Sequence, residues 1–225
     1  MFRRWLLGAA CCGAIAATTA QAVHAEDLRD QPLGAIQQLA DAGRADAQRE
    51  LGIRYGQGTG LAQSYQSART WASRAASQGD AWAMRIMGLI YLKGLGVDPD
   101  RWRAFDFFKR AADEGEMFAQ YNLAVMYYDG DITPQSYAKA IDWYKRAADQ
   151  GNAKAQHILG LMLAQGMGTT ADKVEAYKWF ELSGSEDAIA ATTEMQSIVP
   201  LMSKSEVAEA QRRAEIWRPQ LEWLP

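Results

Sequence analysis

A chain of 225 residues, 48% hydrophobic and 23% charged, is long enough for one domain with a continuous core. Its formal net charge is −3 and no basic block stands out, which argues against nucleic acid and anionic membrane surfaces as partners. Both cysteines, Cys11 and Cys12, lie near the N-terminus. The rest of the chain therefore has no disulfide, no thiol nucleophile and no thiolate metal ligand.

Residues 1–25 read as a secretory signal peptide, cleaved after Ala25. Arg3 and Arg4 make a basic start, Trp5 to Ala17 is apolar, and Val23-His24-Ala25 is a small-x-small-like cleavage site. A cut after Ala22 is the alternative. The apolar run is too short for a comfortable transmembrane helix, and no later stretch qualifies. Lipidation of Cys11 is disfavoured by the brevity of that run and by Gly8, where lipoprotein signals usually carry a branched aliphatic residue. The leader holds two of the 24 basic residues and none of the 27 acidic ones, so the remainder carries about −5. The expected location is periplasmic or secreted.

Residues 26–46 read as an N-terminal cap. Glu26 to Gln31 is polar and expected to fray, and Pro32 can open a helix running to Ala42. Leu39-Ala40 align with Ala75-Ala76, and Gly43 aligns with Gly79. This segment matches the second half of a repeat whose first half is missing.

From Ala47 to Gly184 one pattern recurs four times at a step of 36 residues. Ala47, Ala83, Ala119 and Ala155 hold one column. Gly58, Gly94, Gly130 and Gly166 hold another, and Trp71, Phe107, Trp143 and Trp179 a third. A fixed period of this size means stacked supersecondary units. Each unit reads as helix, turn, helix. The first helix opens after Gly43, Gly79, Gly115 or Gly151, which end the preceding helix in the left-handed region. Asp80 and Asn152 are its N-caps. Its buried stripe in the third unit is Ala119, Leu123, Ala124 and Tyr127. The column Gly52, Gly88, Ala124, Gly160 is uniformly tiny. A glycine there costs ~1 kcal/mol against alanine, which implies close approach by a neighbouring helix.

The second helix starts from Ser64, Asp100, Ser136 or Asp172, all good N-caps, with Asp172 and Glu175 read as a capping box. Its predicted buried stripe is Ala140, Trp143, Tyr144 and Ala147. The aromatic columns Trp71/Phe107/Trp143/Trp179 and Tyr55/Tyr91/Tyr127 are expected in the core. The fourth unit decays at Ser183-Gly184, and residues 185–225 read as C-terminal capping helices. One runs from Ala188 to Ile198 and ends at Pro200. A second opens at the Ser203/Glu206 capping box, reaches about Trp217 and stops at Pro219.

The unit Ala83–Gly115 resembles the Sel-one-like repeat (SLR), a relative of the tetratricopeptide repeat. The resemblance rests on Gly88, Tyr91, Gly94, Gly96, Val97, Asp100, Ala104, Phe107, Ala111, Ala112 and Gly115, and extends over residues 35–184. It departs at the third turn, which lacks the second glycine, and at Leu163, which replaces the first-helix tyrosine. It implies an all-α fold, an α-solenoid built as a right-handed superhelix of SLR/TPR-like helix-turn-helix repeats. It also implies a non-enzymatic adaptor that binds another protein or peptide, placed by the leader in the bacterial envelope. The alternatives are a β-lactam-binding or hydrolysing envelope enzyme, as in the cysteine-rich branch of the family, and a flagellar-motor component of MotX type.

Catalytic readings find little support. Ser136-Tyr137-Ala138-Lys139 matches S-x-x-K, but Ser136 shares the helix-cap column and no companion motif follows. Once the leader is removed His157 is the only histidine, which reads as solvent-facing on a first helix and cannot make a zinc site by itself. Asp129 and Asp131 flank a turn glycine without the bidentate Glu of a calcium loop. No cofactor or metal is expected. Trp82 and Trp102 fall outside the shared columns, read either as local packing or as partner anchors.

In this class, as the resemblance implies, the first helix lines the concave face. The columns away from its predicted core are Glu50/Ile86/Asn122/Ile158, Arg54/Ile90/Met126/Met162 and Gln57/Lys93/Asp129/Gln165. The expected partner-binding residues are Glu50, Arg54, Lys93, Asn122, Met126 and Asp129, in a groove whose mixed character suits a peptide or helix.

Overall fold

The computed structural model describes residues 28–130, 132–184 and 188–220, the side chains of 188–191 excepted. The leader expected at residues 1–25, both cysteines and Asp131 lie outside the described residues. Among these residues the chain is all-helical, with no strand. A 3-10 turn at Leu28–Asp30 leads to α1 (Leu33–Asp41). Four helix pairs follow: α2 (Ala45–Gln57) with α3 (Tyr65–Ser77), α4 (Ala81–Lys93) with α5 (Arg101–Asp113), α6 (Met117–Asp129) with α7 (Tyr137–Asp149), and α8 (Ala153–Gln165) with α9 (Lys173–Ser183). The chain then runs through α10 (Ala188–Ile198), a 3-10 turn at Val199–Leu201 and α11 (Lys204–Ile216). No described helix is long and apolar enough to cross a membrane.

Identical local chemistry sets the repeat. Gly58, Gly94, Gly130 and Gly166 close the first helices with φ between 68° and 76°, a conformation only glycine adopts without strain. Ser64, Asp100, Ser136 and Asp172 cap the second helices, each side chain accepting from the backbone N–H three residues on. The backbone N–H of each capping residue donates in turn to a carbonyl of the preceding helix, at Tyr55, Tyr91, Tyr127 and Leu163. Each turn is thus tied at both ends. The Asp172/Glu175 capping box is only half present. Asp172 accepts from the Glu175 N–H, but the Glu175 carboxylate binds Lys178 and Arg213 instead. The Ser203/Glu206 box forms in full.

The core runs without a break from Ala72 to Trp179. In the second and fourth pairs the glycine of the first helix receives the ring of the second: Phe108 lies over Gly88 and Phe180 over Gly160. At Gly52 the facing residue is Ala72, and the helix backbones come closer. The fully buried aromatic column is therefore Phe108, Tyr144 and Phe180, one residue beyond the expected one. In the expected column Trp71 and Trp179 are buried, and Phe107 and Trp143 are half-buried against the core. In the tyrosine column Tyr127 is buried, while Tyr55 and Tyr91 are half-buried. Both deviations have one cause. A stripe of period 3.6 is wider than one residue, and its centre is fixed by the facing glycine.

Polar side chains join successive repeats. The amides of Gln48, Gln120 and Gln156 donate to the carbonyls of Ala40, Ala112 and Ala148, at 3.0, 3.4 and 3.1 Å. Gln78 and Gln150 then donate to Gln48 and Gln120, both at 2.8 Å. All five glutamines lie at repeat junctions, where unsatisfied helix-end carbonyls need donors.

The two ends differ from the middle, as an array requires. The segment expected to fray is instead tied down at the N-terminus: Leu28 is buried, and the Arg54 guanidinium donates to the carbonyls of Leu28, Arg29 and Gln31 at 3.2, 2.8 and 3.1 Å. At the C-terminus α10 and α11 both pack on α9. Arg213 of α11 pairs with Glu175 at 2.6 Å, and Trp217 meets Trp179 edge-on at 6.3 Å.

Candidate functional site

The first helices α2 and α4 also meet directly, and the capping helix α10 meets α8. Among the described residues the second helices do not approach each other to the same extent. The stripe of α2, α4, α6 and α8 turned away from their paired second helices is the one that the repeat resemblance puts on the inner face of the array. The middle of this stripe is an aliphatic row, Ile53, Leu89, Val125 and Leu161, half-buried in every repeat. Ile86, Asn122 and Ile158 lie beside it, also half-buried. Gln57, Lys93, Asp129 and Gln165 make an exposed polar edge at the helix C-termini.

The opposite edge, at the helix N-termini, is a stack of cations and rings. Trp82 has the Arg49 guanidinium 5.3 Å from its ring and the Arg85 guanidinium 5.5 Å from it. Arg85 also lies 5.4 Å from the ring of Phe118, which is 45% exposed. The same arginines make ion pairs into the next repeat. Arg49 meets Asp80 at 2.7 Å, and Arg85 meets Glu116 at 3.1 Å. Asp80 and Glu116 are the N-caps of α4 and α6, so each carboxylate also accepts a backbone N–H, from Ala83 at 2.8 Å and Ala119 at 2.6 Å. Burial pushes the Glu116 carboxyl above its ordinary range, opposed by the charge of Arg85. These pairs fix the register of three repeats at this edge. In the later repeats the arginine position holds Tyr121, which packs on Tyr144 at 5.8 Å, and His157.

The expected site residues separate under this geometry. Lys93 and Asp129 are exposed at the C-terminal ends of α4 and α6, and Asn122 is half-buried between them and the far edge. Glu50 and Arg54 are brought together, at 2.8 Å, but both are buried beneath the N-terminal turn that Arg54 holds. Met126 is buried with its column mates Arg54, Ile90 and Met162. That column was expected to line the groove. It packs inside the array because the helix face is rotated by one residue from the expected one. The half-buried row that takes its place, Ile53 to Leu161, was missed, although four aliphatic residues at one step were a legible signal. The Arg49–Asp80 and Arg85–Glu116 pairs were missed too. Their signal was a basic residue and a carboxylate at a fixed separation, repeated one unit later.

The catalytic candidates take structural roles. Ser136 is the N-cap of α7, accepting from Lys139 N–H at 3.4 Å. The Lys139 ammonium lies over the Tyr127 ring at 5.2 Å. His157 is not solvent-facing: its ring packs edge-on to Phe180 at 5.9 Å, and its Nε2 is buried without a hydrogen-bond partner. Trp82 is half-buried in the cation stack, whereas Trp102 is 63% exposed beside Phe105. Among the described residues no cluster of His, Cys, Asp or Glu is arranged to hold a metal.

Comparison with known proteins agrees with this architecture. The family model described as Sel1 repeat matches four times in tandem, at residues 45–80, 83–116, 118–152 and 153–187. A solved protective antigen of uropathogenic Escherichia coli strains, displaying an SLR fold, is 28% identical with a TM-score of 0.72 over 82% of this chain and 40% of its own. A solved Sel1 repeat protein from Oxalobacter formigenes is 34% identical with a TM-score of 0.70 over 74% of this chain and 48% of its own. The chain thus spans less than half the length of either structure. Among curated proteins none matches. Four consecutive matches over more than half of the sequence, one on each helix pair, place the chain in the Sel1 repeat family, whose members are generally protein–protein interaction scaffolds.

Proposed function

We propose that this chain is a non-enzymatic adaptor of the bacterial cell envelope that holds a partner protein or peptide along its inner face. The observation that carries the reading is the half-buried row Ile53, Leu89, Val125 and Leu161, one residue on each first helix, bordered by the exposed Lys93 and Asp129. An apolar strip with a polar margin suits a helix or extended peptide, with burial supplying affinity and the margin setting register. The envelope assignment rests on the leader-like residues 1–25, and fractionation of cells expressing the full chain tests it directly. For the binding role, crosslinking in intact cells followed by affinity capture and mass spectrometry is run with wild type and with Leu89→Asp/Val125→Asp. One envelope protein enriched by wild type and lost in the variant, at equal abundance of both chains, is the expected result. Equal enrichment by both would remove the inner face from the reading. The β-lactam alternative loses its motif-based support, since the Ser136 hydroxyl is committed to a helix cap. A nitrocefin assay on purified protein, with Ser136→Ala alongside, is expected to be blank.

A further inference from the structure

The outer side of the array carries chemistry that groove binding does not use. Helices α3, α5 and α7 together hold nine basic residues and four acidic ones, in a chain whose formal net charge is −3. Some of that charge is neutralised in place: Lys109 pairs with Asp113 at 2.6 Å and Lys145 with Asp149 at 2.7 Å. Arg74, Arg110 and Arg146 are different. They occupy one position in three successive repeats, and all are exposed. Their guanidinium groups lie over Trp71, Phe107 and Trp143, at 4.5, 5.6 and 4.6 Å from the ring centroids. Among the described residues neither Arg74 nor Arg146 has a carboxylate within ion-pair reach, and Arg110 has only Asp106 at 3.9 Å. A guanidinium resting on an aromatic face has lost much of its side-chain freedom in advance. Its N–H edge stays free, in the fork geometry that matches a carboxylate. In the fourth repeat the corresponding residue is Leu182, and there the ring, Trp179, is covered by Trp217 after α11. The arginine row is confined to the three repeats before the one on which α11 packs; the chain after α11 reaches only the C-terminal end of α7, where the Gln220 N–H donates to the Asp149 carbonyl at 2.7 Å.

We propose that Arg74, Arg110 and Arg146 form a docking row on the outer face for an acidic segment of a partner protein, one guanidinium per repeat meeting one carboxylate. Charge complementarity favours a discrete segment over an anionic membrane. Asp106 and Asp142 stand exposed on the same helices, so a continuous negative surface would be repelled there, whereas a segment can place its carboxylates between them. The row lies across the array from the inner groove and does not depend on the groove reading.

The test titrates the purified full chain with poly-L-glutamate and, in parallel, with phosphatidylglycerol vesicles, following tryptophan fluorescence and titration heat. Salt-sensitive binding of poly-L-glutamate is expected, weakened about tenfold or more by Arg74→Gln/Arg110→Gln/Arg146→Gln. Lys109→Gln/Lys145→Gln, which removes self-paired charge, is expected to weaken it far less. Arg146→Gln alone is a mild change on an exposed site and keeps the measurement meaningful if the triple variant loses helix. Arg146→Lys, which keeps the charge but not the fork, is expected to fall between Arg146→Gln and wild type. No binding, equal weakening by the lysine and arginine variants, or tighter binding to vesicles than to poly-L-glutamate would each overturn the proposal.

Discussion

Gly88→Ala is the sharpest probe of how the repeats are packed. A Cβ at position 88 would stand 2.6, 2.7 and 3.0 Å from Cε1, Cδ1 and Cζ of Phe108. Phe108 is 0% exposed, so its ring has no solvent to retreat into. Two effects oppose each other. Removing a glycine from a helix interior favours alanine by ~1 kcal/mol. Forcing an extra methyl into a filled core costs ~1–3 kcal/mol, toward the upper end where the obstacle is a rigid ring. The net expectation is a loss of about 1–2 kcal/mol, or about 2–4 °C in Tm per kcal/mol for a chain of this size. Urea and thermal unfolding followed by circular dichroism measure it. Phe108→Leu removes the ring edge, and in that background Gly88→Ala is expected to be neutral or stabilising, giving a coupling energy of about 1 kcal/mol or more. Gly160, whose Cβ would meet Phe180 at 2.7 Å, should repeat the pattern. A Gly88→Ala chain as stable as wild type, or an equal cost with and without the ring, would refute the reasoning that the glycine column exists to admit these rings.

Phe108→Ala is expected to cost ~3–5 kcal/mol as a truncation of a fully buried ring, and Trp143→Ala less, about 2–3 kcal/mol, because that ring is only partly buried at the edge of the core. Equal losses in urea unfolding would restore Trp143 to the core. Arg54→Ala leaves Glu50 buried without its partner and frees the carbonyls of Leu28, Arg29 and Gln31, a loss of roughly 3 kcal/mol; limited proteolysis should then cut near residues 28–31, and unchanged resistance would show that the turn is held otherwise. Acid should loosen α11. Burial pushes the Glu175 carboxyl up, but hydrogen bonds from Lys178 and Arg213 outweigh it and hold it below the ordinary range, while Arg212 and Arg213 hold Glu209 down to about 2. Because these folded values lie below the unfolded ones, their stabilisation is complete above the ordinary carboxylate pKa and fades as the pH falls through the folded values. Near-ultraviolet circular dichroism of the Trp179–Trp217 contact should therefore weaken below about pH 4, and Arg213→Ala should weaken it at neutral pH. A signal that stays flat down to about pH 2 would exclude this linkage.

Much of the fold was legible without coordinates because it rests on local rules repeated in register. Glycines that must take positive φ, short polar side chains that cap helices, and apolar residues at helical spacing each report on a few neighbouring residues, and four copies multiply the signal. The helix boundaries, the N-caps at Ser64, Asp100, Ser136, Asp172, Asp80 and Asn152, the box at Ser203/Glu206 and the cap role of Ser136 all follow from such rules.

What only the tertiary structure decided is how each helix is turned about its axis and what covers the ends. Both depend on residues far apart in the chain. The ring that enters the glycine column sets the rotation. That rotation makes Tyr144 rather than Trp143 the core residue, buries Met126, and leaves the row Ile53, Leu89, Val125 and Leu161 half-buried instead. The absence of a repeat's first helix before α1 leaves room for Leu28 to Gln31, and this contact converts Glu50 and Arg54 from candidate binding residues into a clamp on the segment that precedes α1. Periodicity fixes which residues share a face; only the packing partner fixes where that face points.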